Sequence, residues 1–206
     1  MKTSTKLLLG MLLLIMFLLV TGFIQYKNQL KNKKETTQLR KPINEKFDSL
    51  IVENISIFTL NKIDENTNVV SENATVNYKD NMLYISDNKN VILELADNIK
   101  FLKLNNINQA FINSINTDTL TIVSYNTKNI MFGNVKIGNL RLFLNKSTFV
   151  FENNNGNSTI DNIILDSNHS GVFVGENTEI NKLTGTIDES SEVQIKGIKK
   201  VDLKLK

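Results

Sequence analysis

The sequence predicts an all-β fold: a right-handed parallel β-helix, or solenoid, of about 20-residue rungs, preceded by one N-terminal transmembrane helix. Three observations predict it. From Ile55 onward, apolar residues fall in short period-2 runs, with no helical periodicity of useful length. Those runs recur at a near-constant spacing. The 206-residue chain also opens with an uncharged run of 18 residues, Leu7 to Ile24.

Composition limits the chemistry. There is no Cys, hence no disulfide framework, thiolate metal site or acylated lipoprotein Cys, and there is one His, one Pro and no Trp. The 31 Asn residues favour tight corners, because the Asn side chain bonds nearby backbone and tolerates left-handed φ/ψ. The net charge of +3 is uneven: residues 1–41 hold eight Lys/Arg and one acidic residue, residues 42–206 sixteen Lys/Arg and twenty acidic residues. A nucleic-acid-binding domain needs a basic footprint. The body has no such overall charge, so no nucleic-acid partner is expected.

The N-terminal run follows two Lys and is long enough to span. At about 1.5 Å per residue it makes a helix of roughly 27 Å, against a hydrocarbon core of about 30 Å. A cleaved signal peptide has a shorter apolar region, about 7–15 residues, and an A-x-A-like site. Nothing near Thr21–Gly22 makes such a site. The expected domains are therefore 1–24, a cytoplasmic tip and signal-anchor helix; 25–42, a basic juxtamembrane linker; and 43–206, a β-helical extracytoplasmic domain. The bilayer is an expected partner through Leu7 to Ile24, and basic residues of the linker are placed to meet anionic head groups. The Lys/Arg count favours the linker side as cytoplasmic, but long domains translocate largely regardless of charge. The expectation is a single-pass cell-membrane protein with its C-terminal domain periplasmic or otherwise extracytoplasmic. Pro42 reads as the boundary of the linker.

The strands themselves are legible as "ISIFTL", "MLYIS", "VILELA" and "KFLKL". Beyond Ile99 two series emerge. One holds Leu102 and Leu104, Leu120 and Ile122, Leu140, Leu142 and Leu144, Ile163 and Leu165, Leu183 and Ile187, then Val201, Leu203 and Leu205. The other holds Phe111, Ile130 and Phe132, Phe149 and Phe151, Val172 and Val174, then Val193 and Ile195. Its spacing is 19, 19, 23 and 21 residues. Polar corners separate the series: "NNINQ", "SYNTK", "NKS", "SNHS" and "DESS" on one side, "NTD", "KIGN" and "GENTEIN" among those on the other. A fixed period means one supersecondary unit stacked on its neighbours. An antiparallel sandwich also has many short strands with turns; the near-constant period and the lack of two-residue Asn-Gly hairpin signals between the paired strands favour the solenoid. The last segment, "KGIKKVDLKLK", alternates Lys with apolar residues, a way to blunt an open edge. Residues 43–95 are less regular, as first rungs usually are.

The segments "FDSLIVENISIFTL" and "VNYKDNMLYIS", followed by rungs ending "SNHSGVFVG" and "DESSEVQIKG", resemble the auto-transporter adhesin head domain, the GIN domain of Bacteroidetes. The resemblance covers residues 46–206. Asn, Asp, Thr and Ser stand here for most of the Ser/Gly steps at the family's corners. It implies β-helical coils, and no catalytic residues to carry over.

Chemistry-bearing residues are few. His169 sits in the corner "DSNHSG" near Asp166 and Ser170, and reads as a solvated corner residue. Asp166 and Asp188 lie in successive corners, where two carboxylates at about 5–10 Å would suit glycoside hydrolysis. Asp188, Glu189 and Glu192 offer oxygen ligands for Ca²⁺, without EF-hand or nonapeptide spacing. Tyr78, Tyr84 and Tyr125 are strand aromatics able to stack on sugars. No catalytic, cofactor-binding or metal site is assigned, and no cofactor is expected. The functional expectation is a non-catalytic, adhesin-like binding or scaffold protein of the cell envelope, with envelope polysaccharide or an envelope protein as partner. The alternatives are a polysaccharide-acting enzyme and an envelope-stress sensor.

Overall fold

The computed structural model describes residues 40–63, 67–71, 74–86, 90–151, 158–176 and 178–206. The expected membrane helix and most of the basic linker lie outside the described residues. Among those described, no helix is long and apolar enough to cross a membrane.

The described residues form eighteen strands in two nine-stranded sheets. Five consecutive turns follow chain order. They are β8 (Phe101–Asn105) with β9 (Gln109–Asn113), β10 (Asn116–Tyr125) with β11 (Asn129–Gly133), and β12 (Lys136–Asn145) with β13 (Thr148–Phe151). Then come β14 (Ser158–Asn168) with β15 (Gly171–Val174), and β16 (Thr178–Ile187) with β17 (Glu192–Ile195). β18 (Ile198–Leu205) ends the stack. From β8 onward, even-numbered strands build a long-strand sheet and odd-numbered ones a short-strand sheet. Every pairing from β8 onward is parallel and in register, such as Ile122 beside Leu102 and Leu142. The solenoid reading holds; the antiparallel sandwich does not.

The first rungs depart from simple succession. β2 (Ser49–Glu53) and β3 (Ile57–Lys62) form a turn that pairs with β8 and β9. The chain then passes to the opposite side of that turn. There β4 (Asn68–Ser71), β5 (Thr75–Lys79), β6 (Met82–Ser86) and β7 (Asn90–Leu95) are laid down. β6 and β7 pair in parallel with β2 and β3, so the second turn in sequence is stacked outside the first. β4 and β5 run antiparallel to β7 and β6, and β1 (Arg40–Ile43) runs antiparallel to β4. Antiparallel strands end the parallel ladder at this end. Pro42, expected as a boundary before the domain, lies inside the edge strand β1, where a missing N–H is tolerated.

Inside, the two series of apolar residues face each other. Leu102, Ile122, Leu142 and Leu165 line the long-strand sheet; Ile130, Phe149 and Val172 line the other, all buried. Phe132, Phe149 and Phe151 pack edge to face, with ring centroids 4.7–5.4 Å apart. Two sequence assignments need correction. Phe111 was phased inward, but Ala110 and Ile112 are the buried pair and Phe111 points out. The spacing rule was satisfied by the larger neighbour; in a period-2 strand a slip of one residue exchanges the faces. The segments around "KIGN", "STIDN" and "GENTEIN" were read as polar corners. They contain a third, short face: Ile137, Ile160 and Ile180 stack in register and are buried. Just after this face Gly138 lies so close to Asp118 that a Cβ would come within 2.8 Å of its carbonyl oxygen.

Candidate functional site

Outward side chains alternate with the buried ones along each long strand. Parallel in-register stacking then sets like positions in columns across the sheet. One outward column runs Lys103, Val123, Phe143, Asp166, Thr186, Lys204. Its neighbour runs Asn105, Tyr125, Asn145, Asn168. Between them lies a shallow cleft of about 220 Å³ lined by Tyr125, Phe143, Asn145, Asp166, Asn168 and Lys206. Tyr125 and Phe143 are 43% and 42% exposed, although strand aromatics are ordinarily packed away. Among the described residues, the side-chain amides of Asn145 and Asn168 have no protein partner. Asp166 pairs with Lys206 and accepts a 3.5 Å hydrogen bond from the Thr186 hydroxyl. The cleft offers two apolar ring surfaces, free amides and an ion pair.

Sequence reasoning named Tyr125 and Asp166 but missed the rest of the cleft. Phe143 lies between Leu142 and Leu144, so strict alternation turned it outward from the start. Asn145 and Asn168 were read as corner residues and Lys206 as edge protection. Of the other tyrosines, Tyr78 donates to the Lys46 carbonyl at 2.6 Å, and Tyr84 is half-buried on the same outer face near the capped end.

Asp166 lies beside Thr186, two residues before Asp188, and the two acids have separate partners. Asp188 accepts hydrogen bonds from the Ser191 and Ser190 hydroxyls and from the His169 backbone N–H, and its Oδ2 lies 3.1 Å from His169 Nδ1. The Ser191 hydroxyl above all, then the His169 N–H, the Ser190 hydroxyl and the His169 ring, hold its pKa down at about 2 against the opposing effect of burial. His169, read as merely solvated, is a paired corner residue. Asp188, Glu189 and Glu192 are not gathered: among the described residues no three His, Cys, Asp or Glu are placed to hold a metal.

The corners explain this arrangement. Asn54, Asn106, Asn126, Lys146 and His169 all have φ between 50° and 58°, the left-handed region that Asn tolerates best. Asn106 donates its amide to Asn54 at 3.1 Å, and Asn126 to Asn106 at 3.3 Å. One residue further on, hydroxyls form a second ladder beneath. The Ser147 hydroxyl accepts the Thr127 N–H at 3.2 Å and donates to the Asn145 carbonyl at 3.0 Å. Ser170 does the same for the Ser147 N–H, at 3.1 Å, and the Asn168 carbonyl, at 2.7 Å. These buried hydroxyls satisfy amides that the turning backbone leaves over.

Fold and corners define a parallel β-solenoid closed at one end by antiparallel strands. Solved structures with this architecture include a "putative adhesin" from Parabacteroides merdae, at 17% identity over 81% of this chain and 77% of that one, TM-score 0.59. Another from Parabacteroides distasonis aligns at 16% identity over the same shares, TM-score 0.60. A third, from Bacteroides fragilis, aligns at 12% identity over 82% of this chain and 93% of that one, TM-score 0.54. No protein-family model matches the sequence, and comparison with curated proteins finds none similar. The likeness is one of fold.

Proposed function

We propose that this chain is an adhesin-like binding protein of the bacterial cell envelope, of the GIN type, with Leu7 to Ile24 holding it in the membrane and the solenoid outside the cytoplasm. Binding rather than catalysis rests on one observation: the outer face of the long-strand sheet exposes the Tyr125 and Phe143 rings and, among the described residues, two side-chain amides without a protein partner, while Asp166 is ion-paired to Lys206 within the cleft and Asp188 is hydrogen-bonded to Ser190, Ser191 and His169. The adhesin descriptions of the similar structures, and the shared rung architecture, support the reading. Solenoids suit extended recognition because each rung adds surface without changing the core.

Two experiments test it. Full-length protein in detergent is incubated with fractionated envelope polysaccharide and envelope protein; retention of one fraction is expected, and loss of retention in Tyr125→Ala/Phe143→Ala ties it to this face. Retention of neither fraction overturns the binding role. Protease accessibility is then read through a tag after Lys206. Digestion in intact cells means surface display, digestion only in spheroplasts means a periplasmic solenoid, and protection until lysis overturns the extracytoplasmic placement.

A further inference from the structure

We infer that the ligand of this face is an anionic polysaccharide, a chain of sugar rings carrying carboxylate or sulfate groups. The inference rests on the binding role proposed above and adds the ligand's charge and chemistry. From β8 to the end of the chain, the outward positions of the long strands and their last residue hold eight cations, Lys103, Lys136, Arg141, Lys182, Lys199, Lys200, Lys204 and Lys206. Against them stand five carboxylates, Asp118, Asp161, Asp166, Glu179 and Asp202. The unit Arg40–Lys206 as a whole has eighteen Lys/Arg and twenty acidic residues, so the cations are concentrated on one face of a slightly acidic body. Arg141, Lys182, Lys200 and Lys204 are exposed and make no ion pair among the described residues.

Edge protection accounts for only part of this. Lys200, Lys204 and Lys206 are on or beside the edge strand β18, where Lys discourages further pairing. Lys182 and Arg141 lie on interior strands, β16 and β12, which have a paired strand on both sides. Lys182 and Lys200 are direct cross-strand neighbours. Like charges in that relation repel and destabilise a sheet. A bound anion relieves the repulsion.

The same face supplies what a sugar ring needs besides charge. Tyr125 and Phe143 give flat apolar surface for the C–H face of a pyranose, and the Asn145 and Asn168 amides both donate and accept toward hydroxyls. Outward positions repeat at the strand spacing of about 4.8 Å, so a polymer laid across the sheet meets one position of a column at each rung. Aromatics with cations also bind single-stranded nucleic acid. That use goes with a domain basic as a whole, and this unit is slightly acidic. An anionic membrane surface would use the cations but leave the cleft amides unused.

The test uses full-length protein in detergent and four probes: polygalacturonate, uncharged dextran, a 20-mer of thymidylate, and phosphatidylglycerol vesicles. Polygalacturonate is expected to bind at least tenfold more tightly than dextran, and to weaken at least tenfold between 50 and 500 mM salt. Lys182→Glu/Lys200→Glu is expected to weaken it about tenfold with unchanged thermal stability. Tyr125→Ala and Phe143→Ala each weaken it several-fold at either salt. Equal binding of dextran, no effect of the charge reversal, or tighter binding of the oligonucleotide or vesicles overturns the inference. If an envelope fraction is retained while polygalacturonate is not bound, the ligand assignment falls and the binding role stands; if nothing is retained, both fall.

Discussion

The Asp188 carboxylate accepts the backbone N–H of His169, with both oxygens 3.1 Å from the nitrogen. In four earlier corners the equivalent N–H donates to a backbone carbonyl one rung on: Asn54 to Asn105, Asn106 to Tyr125, Asn126 to Asn145, Lys146 to Asn168. At the last corner a side chain takes over that acceptor role. Ionised, Asp188 is a better acceptor than a carbonyl.

This gives a pH dependence with a definite sign. The folded pKa of about 2 lies below the ordinary value of 3.8, so Asp188 stabilises the fold fully above about pH 4. That contribution is lost as pH falls from about 4 to about 2. Thermal melts of wild type and Asp188→Asn are expected to differ most above pH 4 and to converge near pH 2. A constant difference across that range would contradict the role.

Ser147→Ala removes the hydroxyl that accepts the Thr127 N–H, and both residues are buried. An unsatisfied buried donor costs about 1–3 kcal/mol. Urea unfolding is expected to show a loss in that range with an unchanged m-value. Asn145 also loses its hydroxyl donor, so amide exchange should accelerate locally in the corner formed by residues 124–128 and 145–148.

Lys146 holds φ 51° in a column that begins with three Asn. Left-handed backbone costs an ordinary L residue roughly 1–2 kcal/mol, and less for Asn. Lys146→Asn is expected to stabilise the solenoid by up to about 1 kcal/mol. Differential scanning calorimetry reads this as a rise in Tm of about 2–4 °C. The amide also extends the Asn54–Asn106–Asn126 ladder by one rung.

Gly185 occupies an inward position beside Leu165, with φ 143°. A Cβ there would lie 1.8 Å from the Leu165 carbonyl oxygen. Gly185→Ala is therefore expected to cost about 3 kcal/mol or more, from the backbone strain and the forced separation of β14 and β16. A variant with wild-type stability would mean the strand shifts freely there. Phe149→Ala, a truncation in the three-ring cluster, is expected to cost about 3–5 kcal/mol.

Period-2 alternation was legible wherever both inward residues are large, as at Leu140, Leu142 and Leu144 or Phe149 and Phe151. It misled at Phe111, because Ala110, the true inward residue, is small and carries little apolar signal. The third face stayed hidden because each rung commits one large residue to it, Ile137, Ile160 or Ile180, among polar neighbours. Of the candidate cleft, Tyr125 and Asp166 were visible as residue types. Their assembly with Phe143, Asn145 and Asn168 was not, since it depends on register between rungs about 20 residues apart.

By itself, the sequence determined the solenoid: a repeated burial pattern has one economical solution, stacking, and Asn at the corners agrees with the left-handed turns that stacking needs. Only the tertiary structure decided which rung lies beside which. β4 to β7 close the stack outside β2 and β3, and contacts of that kind leave no periodic trace. The tertiary structure likewise set Lys182 against Lys200 and Asp188 against His169. Parallel pairing joins residues distant in the chain, and a side chain's neighbours in the next rung are fixed by register, which only the folded stack defines.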